Sequence, residues 1–86
     1  MILSYSKKFI KQYSKKSPQI KQKFIERQGL FVVNSFHPLV NNHHLTGEYK
    51  GCKSINITGD IRAVFEEINI NHVEFVAIGS HSELYS

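Results

Sequence analysis

Two alternating runs joined by a turn constrain this 86-residue chain more than any other feature. Between Cys52 and Ile57, the side chains of Lys53, Ile55 and Ile57 fall on one face, and those of Cys52, Ser54 and Asn56 on the other. Between Ile61 and Glu66, Ile61, Ala63 and Phe65 oppose Arg62, Val64 and Glu66. A period of two is the mark of a half-buried strand, and Thr58-Gly59-Asp60 between the runs has turn chemistry. A three-residue loop pairs Ile57 with Ile61, Asn56 with Arg62 and Ile55 with Ala63, which puts both apolar sets on one face. A two-residue loop of Gly59-Asp60 instead pairs Ile57 with Arg62. A slip of one residue turns every side chain to the opposite face, so the three-residue loop, a common hairpin connection, is expected. That register makes Asn56 and Arg62 neighbours on the face turned away from the core.

The remaining elements follow from periodicity and punctuation. Ile2-Leu3-Ser4-Tyr5 fits a short first strand, and Ser6 a helix N-cap. Phe9, Ile10 and Tyr13 recur at helical spacing with lysines opposite, and this helix ends near Ser14 to Ser17. Ser17-Pro18 opens a second helix, with Ser as cap and Pro in the first turn. Ile20, Phe24, Ile25 and Phe31 form its apolar stripe, and Gly29 within it costs about 1 kcal/mol relative to alanine. His37-Pro38 ends that helix, because a residue before proline avoids the α region. Asn41-Asn42-His43-His44 reads as a loop. A turn near Asn69-Ile70-Asn71 leads into a last strand from about His72 to Ile78. The expected order is β-α-α-β-β-β, an α+β domain over residues 1–86. Two N-terminal helices pack on one face of a mostly antiparallel sheet, and the other face is left polar and open to a ligand. Gly79 to Ser86 reads as a polar tail anchored to a buried strand, which delivers His81 and Tyr85 to a fixed place.

Charge is divided unevenly. Residues 1–28 hold eight Lys/Arg and one acid, Glu26, a net +7, whereas residues 29–86 carry −3. A positive lobe attracts phosphates or an acidic protein; it also fits a solvated lysine face. The single cysteine, Cys52, leaves no internal disulfide and no cysteine-based zinc site. No run approaches the ~18 apolar residues of a membrane span, and nothing has the form of a signal peptide. A cytoplasmic protein without membrane contact is expected.

The groups able to carry chemistry gather in three places. His43 and His44 precede the first hairpin, Asn56, Asp60 and Arg62 lie in or beside it, and His81 and Tyr85 follow the last strand. No histidine spacing suits a metal, and there is neither a phosphate-binding glycine loop nor a nucleophile elbow. No cofactor is expected. Imidazole, guanidinium, carboxylate and phenol together suit RNA phosphodiester cleavage. A base takes the proton of the 2′-hydroxyl as it attacks phosphorus, and an acid protonates the departing 5′-oxygen. A fixed arginine stabilises the charge that grows on the phosphoryl oxygens. The products are a 2′,3′-cyclic phosphate and a 5′-hydroxyl, and the need for a 2′-hydroxyl selects RNA. Plainer readings stand beside this one. His37, His44 and His72 fit surface histidines, Arg62 fits an ion pair with Asp60 or Glu66, and Tyr85 fits a packing anchor.

The stretch from Asn42 to Phe65, with His43, Leu45-Thr46-Gly47, Lys50-Gly51 and Asp60-Ile61-Arg62, followed by Gly79-Ser80-His81-Ser82-Glu83-Leu84-Tyr85, resembles the RelE/ParE toxin superfamily. It is most similar to the YafQ-like mRNA interferases of bacterial type II toxin–antitoxin systems. Tyr5 to Tyr13 also looks like that family's first helix. The resemblance implies a RelE-like fold and a metal-independent toxin that cuts mRNA, usually on the ribosome, and is neutralised by a cognate antitoxin. Contact with operator DNA would come only through the antitoxin complex. By position, it implies His43 as the loop histidine and Asp60 as the acidic residue after the first strand of the hairpin. It implies Arg62 as the transition-state arginine, His81 as the general acid or phosphate contact, and Tyr85 as the aromatic that stacks on or orients the RNA. Lys50 and Lys53 are weaker candidates for RNA contact. The chain departs from the pattern at Asn56, where these enzymes carry another histidine, and at Ile61, where they carry tryptophan. Asn56 can hydrogen-bond a substrate but cannot exchange a proton near neutral pH. Two rivals share the fold: a gyrase-inhibiting toxin of the ParE type, and a non-catalytic module that only binds its antitoxin.

Overall fold

In the computed structural model, which describes residues 1–85, Ile55 pairs with Ala63 and Asn56 with Arg62. The Ile57 N–H donates to the Ile61 carbonyl at 2.8 Å. This is the three-residue register demanded by the alternation, and Asn56 and Arg62 are neighbours. Ser86, the last residue of the expected tail, lies outside the described residues.

The elements are β1 (Ile2–Tyr5), α1 (Lys7–Ser14), α2 (Pro18–Val33), β2 (His43–His44), a 3-10 turn (Gly47–Tyr49), β3 (Lys53–Asn56), β4 (Ile61–Asn69), β5 (His72–Ser80) and α3 (His81–Tyr85). They form one five-stranded sheet in the order β1-β5-β4-β3-β2. β1 runs parallel to β5, and the other pairings are antiparallel. Both expected caps form: Ser6 Oγ accepts from the Phe9 N–H at 3.0 Å, and Ser17 Oγ from the Ile20 N–H at 3.3 Å.

Several expectations need correction. His43-His44 is a two-residue strand paired with β3, not a loop. The last strand continues to Ser80, and the segment after it is a helix instead of a tail. The α2 helix ends at Val33, before His37-Pro38, because Asn34 leaves the helical region and its side chain accepts from the Phe36 N–H at 3.1 Å. Such local bonding competes with helical hydrogen bonds. Ile10 and Ile25, assigned to apolar stripes, are 57% and 61% exposed.

Phe75 stands at the centre of the core between sheet and helices. It is fully buried. The rings of Tyr5, Phe9, Phe24, Phe31 and Phe65 surround it at centroid distances of 5.2 to 6.1 Å. Ile55, Ile57, Ala63 and Ile78 complete this layer. The opposite face of the sheet is not simply polar. Val64 and Ala77 meet Tyr49 from the 3-10 turn and Leu84 from α3 in a second, smaller cluster.

A β-bulge links the two faces. Val64 pairs with Ala77 but Phe65 pairs with Phe75, which leaves Val76 as an extra residue in β5. Phe75 and Ile78 therefore both reach the main core, although strict alternation would part them. A bulge re-aims the chain that follows it, and here that chain leads to His81. Phe75→Ala should cost about 3–5 kcal/mol, as expected for a buried phenylalanine. The urea midpoint and the melting temperature of the purified protein measure this, and Phe75→Leu should lose much less.

Candidate active site

His43, His44, Thr46, Arg62, His81 and Tyr85 line a cleft of about 490 Å³. They come from β2, the segment after it, β4 and α3, so the sheet topology alone brings distant parts of the chain together.

His43 is held from both sides. Its Nδ1 lies 2.7 Å from the Asn41 carbonyl oxygen, which can only accept, so Nδ1 carries a hydrogen. Its Nε2 lies 3.1 Å from Ser54 Oγ, and Ser54, the cross-strand partner of His43, is fully buried. Nε2 is thus the nitrogen able to gain a proton, and it meets Ser54 while doing so. Asn41 has a φ of +49°, in the left-handed region that asparagine tolerates better than most residues.

Arg62 donates through Nη1 to Asn56 Oδ1. A guanidinium has only donors, so the asparagine must present its carbonyl and keep its NH₂ for another partner. On the other side Arg62 faces Gly79 of β5. A Cβ at Gly79 would lie 3.2 Å from the Glu83 side chain, so glycine allows α3 to fold back closely over the strand end.

His81 and Tyr85 sit one turn apart on α3, with ring centroids separated by 4.8 Å. The turn is fixed by a reciprocal capping box. The Ser80 N–H donates to Glu83 Oε1 at 2.8 Å, and the Glu83 N–H donates to Ser80 Oγ at 3.2 Å. Lys16, between α1 and α2, donates to the same Glu83 carboxylate at 3.2 Å. The Ser80 N–H first, and the Lys16 ammonium second, hold the Glu83 carboxyl below its ordinary range. Leu84 is buried beneath the helix. Tyr85 meets Tyr49 edge to face at 5.8 Å, and Tyr49 accepts a hydrogen bond from Lys8 Nζ at 2.9 Å. That bond raises the Lys8 pKa.

The cleft therefore unites His43, Arg62, His81 and Tyr85, with Asn56 behind Arg62. Asp60, Lys50 and Lys53 are not brought to it. Asp60 is exposed at the hairpin tip, where Thr58 Oγ1 accepts from the Asp60 and Ile61 N–H groups. Lys50 is exposed beyond the 3-10 turn, and Lys53 pairs with Glu67 at 2.9 Å. Of the histidines read as surface residues, His44 lines the cleft. His72 bonds Ser4 at 2.7 Å across the β1–β5 seam, and His37 Nδ1 accepts from the Leu39 N–H. Sequence reasoning missed Ser54, Asn41 and the Lys16–Glu83 tie. The Ser80-x-x-Glu83 spacing is a capping-box signature that signals α3. Burial of Cys52 pushes its thiol pKa up, which makes it a poor nucleophile.

Five strands in this order, two helices on one face and a short helix beside a cleft on the other define a RelE-like toxin fold. The family described as "Bacterial toxin of type II toxin-antitoxin system, YafQ" matches residues 1–86, and the chain belongs to it. Among solved structures, a YafQ variant from E. coli is similar with a TM-score of 0.78 and 18% identity, over 98% of this chain and 97% of that one. YafQ in the E. coli DinJ-YafQ complex has a TM-score of 0.76 and 19% identity, over 98% and 97%. A YoeB/ParE toxin from Agrobacterium tumefaciens has a TM-score of 0.76 and 19% identity, over 94% and 99%. No curated protein matches the sequence. No helix among the described residues is long and apolar enough to cross a membrane.

The capping box makes the order of α3 depend on pH. A depressed carboxyl pKa contributes stability that is complete above the unfolded value and is lost as pH falls through the folded one. Protection factors of the backbone amides in residues 81–85, corrected for the intrinsic pH dependence of exchange, should therefore fall on acidification below the usual glutamate range. Glu83→Ala, which removes the side-chain acceptor, should show the low protection already at neutral pH and lose that pH dependence.

Proposed function

We propose that this toxin is a metal-independent endoribonuclease that cleaves mRNA, on the ribosome, by attack of a 2′-hydroxyl on the adjacent phosphorus. The observation that carries the reading is the meeting of His43, Arg62, His81 and Tyr85 around one cleft. The set can supply a base, an acid and a cation for such a cleavage, and a ring on which a base stacks.

His43 accepts the 2′-hydroxyl proton through Nε2, with the Asn41 carbonyl holding the other nitrogen protonated. To do so the ring must exchange its Ser54 partner for the substrate. Arg62, steadied by Asn56, binds the phosphoryl oxygens as negative charge builds on them. His81 gives a proton to the departing 5′-oxygen, which leaves a 2′,3′-cyclic phosphate and a 5′-hydroxyl. Tyr85, backed by Tyr49, offers a ring face on which a base stacks. Asp60 has an indirect part in this scheme: it belongs to the turn that sets the Asn56–Arg62 register.

The partner that restrains the toxin is a cognate antitoxin, as DinJ partners YafQ in E. coli. The lysine-rich helices suit an acidic segment of such a protein, and operator DNA is reached only through that complex. Induced expression should arrest growth, with cellular mRNA cut to 5′-hydroxyl ends. Arg62→Ala should lower the cleavage rate by about 10²–10³, and His81→Ala by about 10²–10⁴. Both variants should keep the wild-type melting profile and relieve the arrest. Arrested cells with intact mRNA would overturn the nuclease reading, and gyrase-dependent DNA breaks in them would favour the ParE type.

A further inference from the structure

A second cavity, of mixed polar and apolar lining, is reached from the cleft through the Arg62–Asn56 hydrogen bond. It has a volume of about 400 Å³; Lys23 and Arg27 from α2, Asn56 and the turn residues Thr58 and Gly59 line it together with the apolar Pro38, Leu39 and Ile57. Asn56 lines this cavity and is hydrogen-bonded to Arg62, which lines the cleft. Its Oδ1 is taken by Arg62 of the cleft, which leaves two amide hydrogens for a different acceptor. Thr58 Oγ1 already accepts from two backbone N–H groups, so its own hydroxyl hydrogen is free to be donated.

Arg27 carries more donors than the protein answers. A guanidinium has five N–H groups. Among the described residues Arg27 donates only from Nη1, to the Leu39 carbonyl at 2.8 Å, while its Nε is buried without an acceptor. Unanswered buried donors are rare in native proteins and call for a physical reason. Lys23 is paired with Glu26 at 3.3 Å on the exposed side of α2. Such an exposed pair is worth about 0–1 kcal/mol and yields readily to a stronger anion. The residues lining the cavity thus include two cations, an amide with its NH₂ unclaimed and a hydroxyl with its hydrogen unclaimed.

We infer that this cavity is a phosphate subsite that binds the RNA backbone beside the cleaved bond, with Lys23 and Arg27 as its charged groups and Asn56 joining it to the catalytic cleft. The inference rests on the nuclease reading and extends it. Asn56 then has a defined task despite its inability to exchange a proton: it couples the grip on a neighbouring phosphate to the placement of Arg62.

The test uses the full chain, Lys23→Gln and Arg27→Gln singly and together, and RNA oligomers of increasing length blocked by a 2′-O-methyl group at the cleaved position. Binding is followed by fluorescence anisotropy over a range of salt. Affinity should rise with length in the wild type. The double variant should bind long oligomers about tenfold more weakly and a dinucleotide nearly as well. Its salt slope should fall by about 0.7 for each phosphate it no longer neutralises. With unblocked RNA the effect should fall on KM. Lys23→Gln, which removes only a surface ion pair within the protein, should show part of the same weakening if Arg27→Gln disturbs folding. Equal affinities and salt slopes overturn the subsite. A defect confined to ribosome binding, with free oligomers unaffected, overturns its assignment to the substrate strand and moves the phosphate to ribosomal RNA. A wild type that neither binds nor cuts RNA overturns the nuclease reading instead. Titration with inorganic phosphate then decides the cavity alone. Saturable NMR shifts of the Arg27 side-chain N–H and the Thr58 and Gly59 amides, absent from the double variant, support an anion pocket, and their absence in the wild type overturns it.

Discussion

The packing of aromatic rings around Phe75 is the constraint on which the rest of this small protein depends. A chain of this length has little interior, and much of it is concentrated at one strand position. The Phe75 side chain meets rings from β1, α1, α2 and β4. That one cluster of rings fixes both helices against the sheet and holds the parallel strand at its edge. On the reverse face the same strand bears Ala77, which meets Val64, Tyr49 and Leu84. One strand thus organises the support of the fold and the support of the candidate site, and its bulge allows both.

The site itself is built by short-range polar devices laid on that platform. Asn41 and Ser54 set the ring of His43, Asn56 sets Arg62, and a capping box with Lys16 sets the helix bearing His81 and Tyr85. Each device satisfies donors and acceptors that would otherwise be wasted in a cleft. The chemistry proposed above asks for groups held in place before the substrate arrives, and these bonds supply that order without a large core.

Much of this was legible in the residues. The alternation on either side of Thr58-Gly59-Asp60 determined the hairpin register and hence the Asn56–Arg62 pair, because period-two burial leaves no second solution. The helix caps at Ser6 and Ser17 were readable for the same local reason. Other features were not. A two-residue strand such as His43-His44 has no period to detect, and its pairing depends on β3 being already in place. The bulge at Val76 is set by packing on both faces, not by any residue preference. The exposure of Ile10 and Ile25 shows that helical spacing identifies a stripe without saying which of its members reach the core. Asp60 illustrates the limit of resemblance: a residue can match a family position while its side chain stands outside the cleft. The capping box at Ser80 and Glu83 was present in plain spelling and marks where the polar composition of 79–86 concealed a helix.

The parallel pairing of β1 with β5 carries a consequence for the life of the molecule. Ile2 finds its partner only at His72, and Lys16 finds Glu83. During synthesis, the first strand must wait until almost all the following residues have been made, and His81 and Tyr85 are the last of the cleft residues to be added. A partly translated chain therefore cannot bring His43, Arg62, His81 and Tyr85 around one cleft, and that arrangement is complete only when the sheet closes.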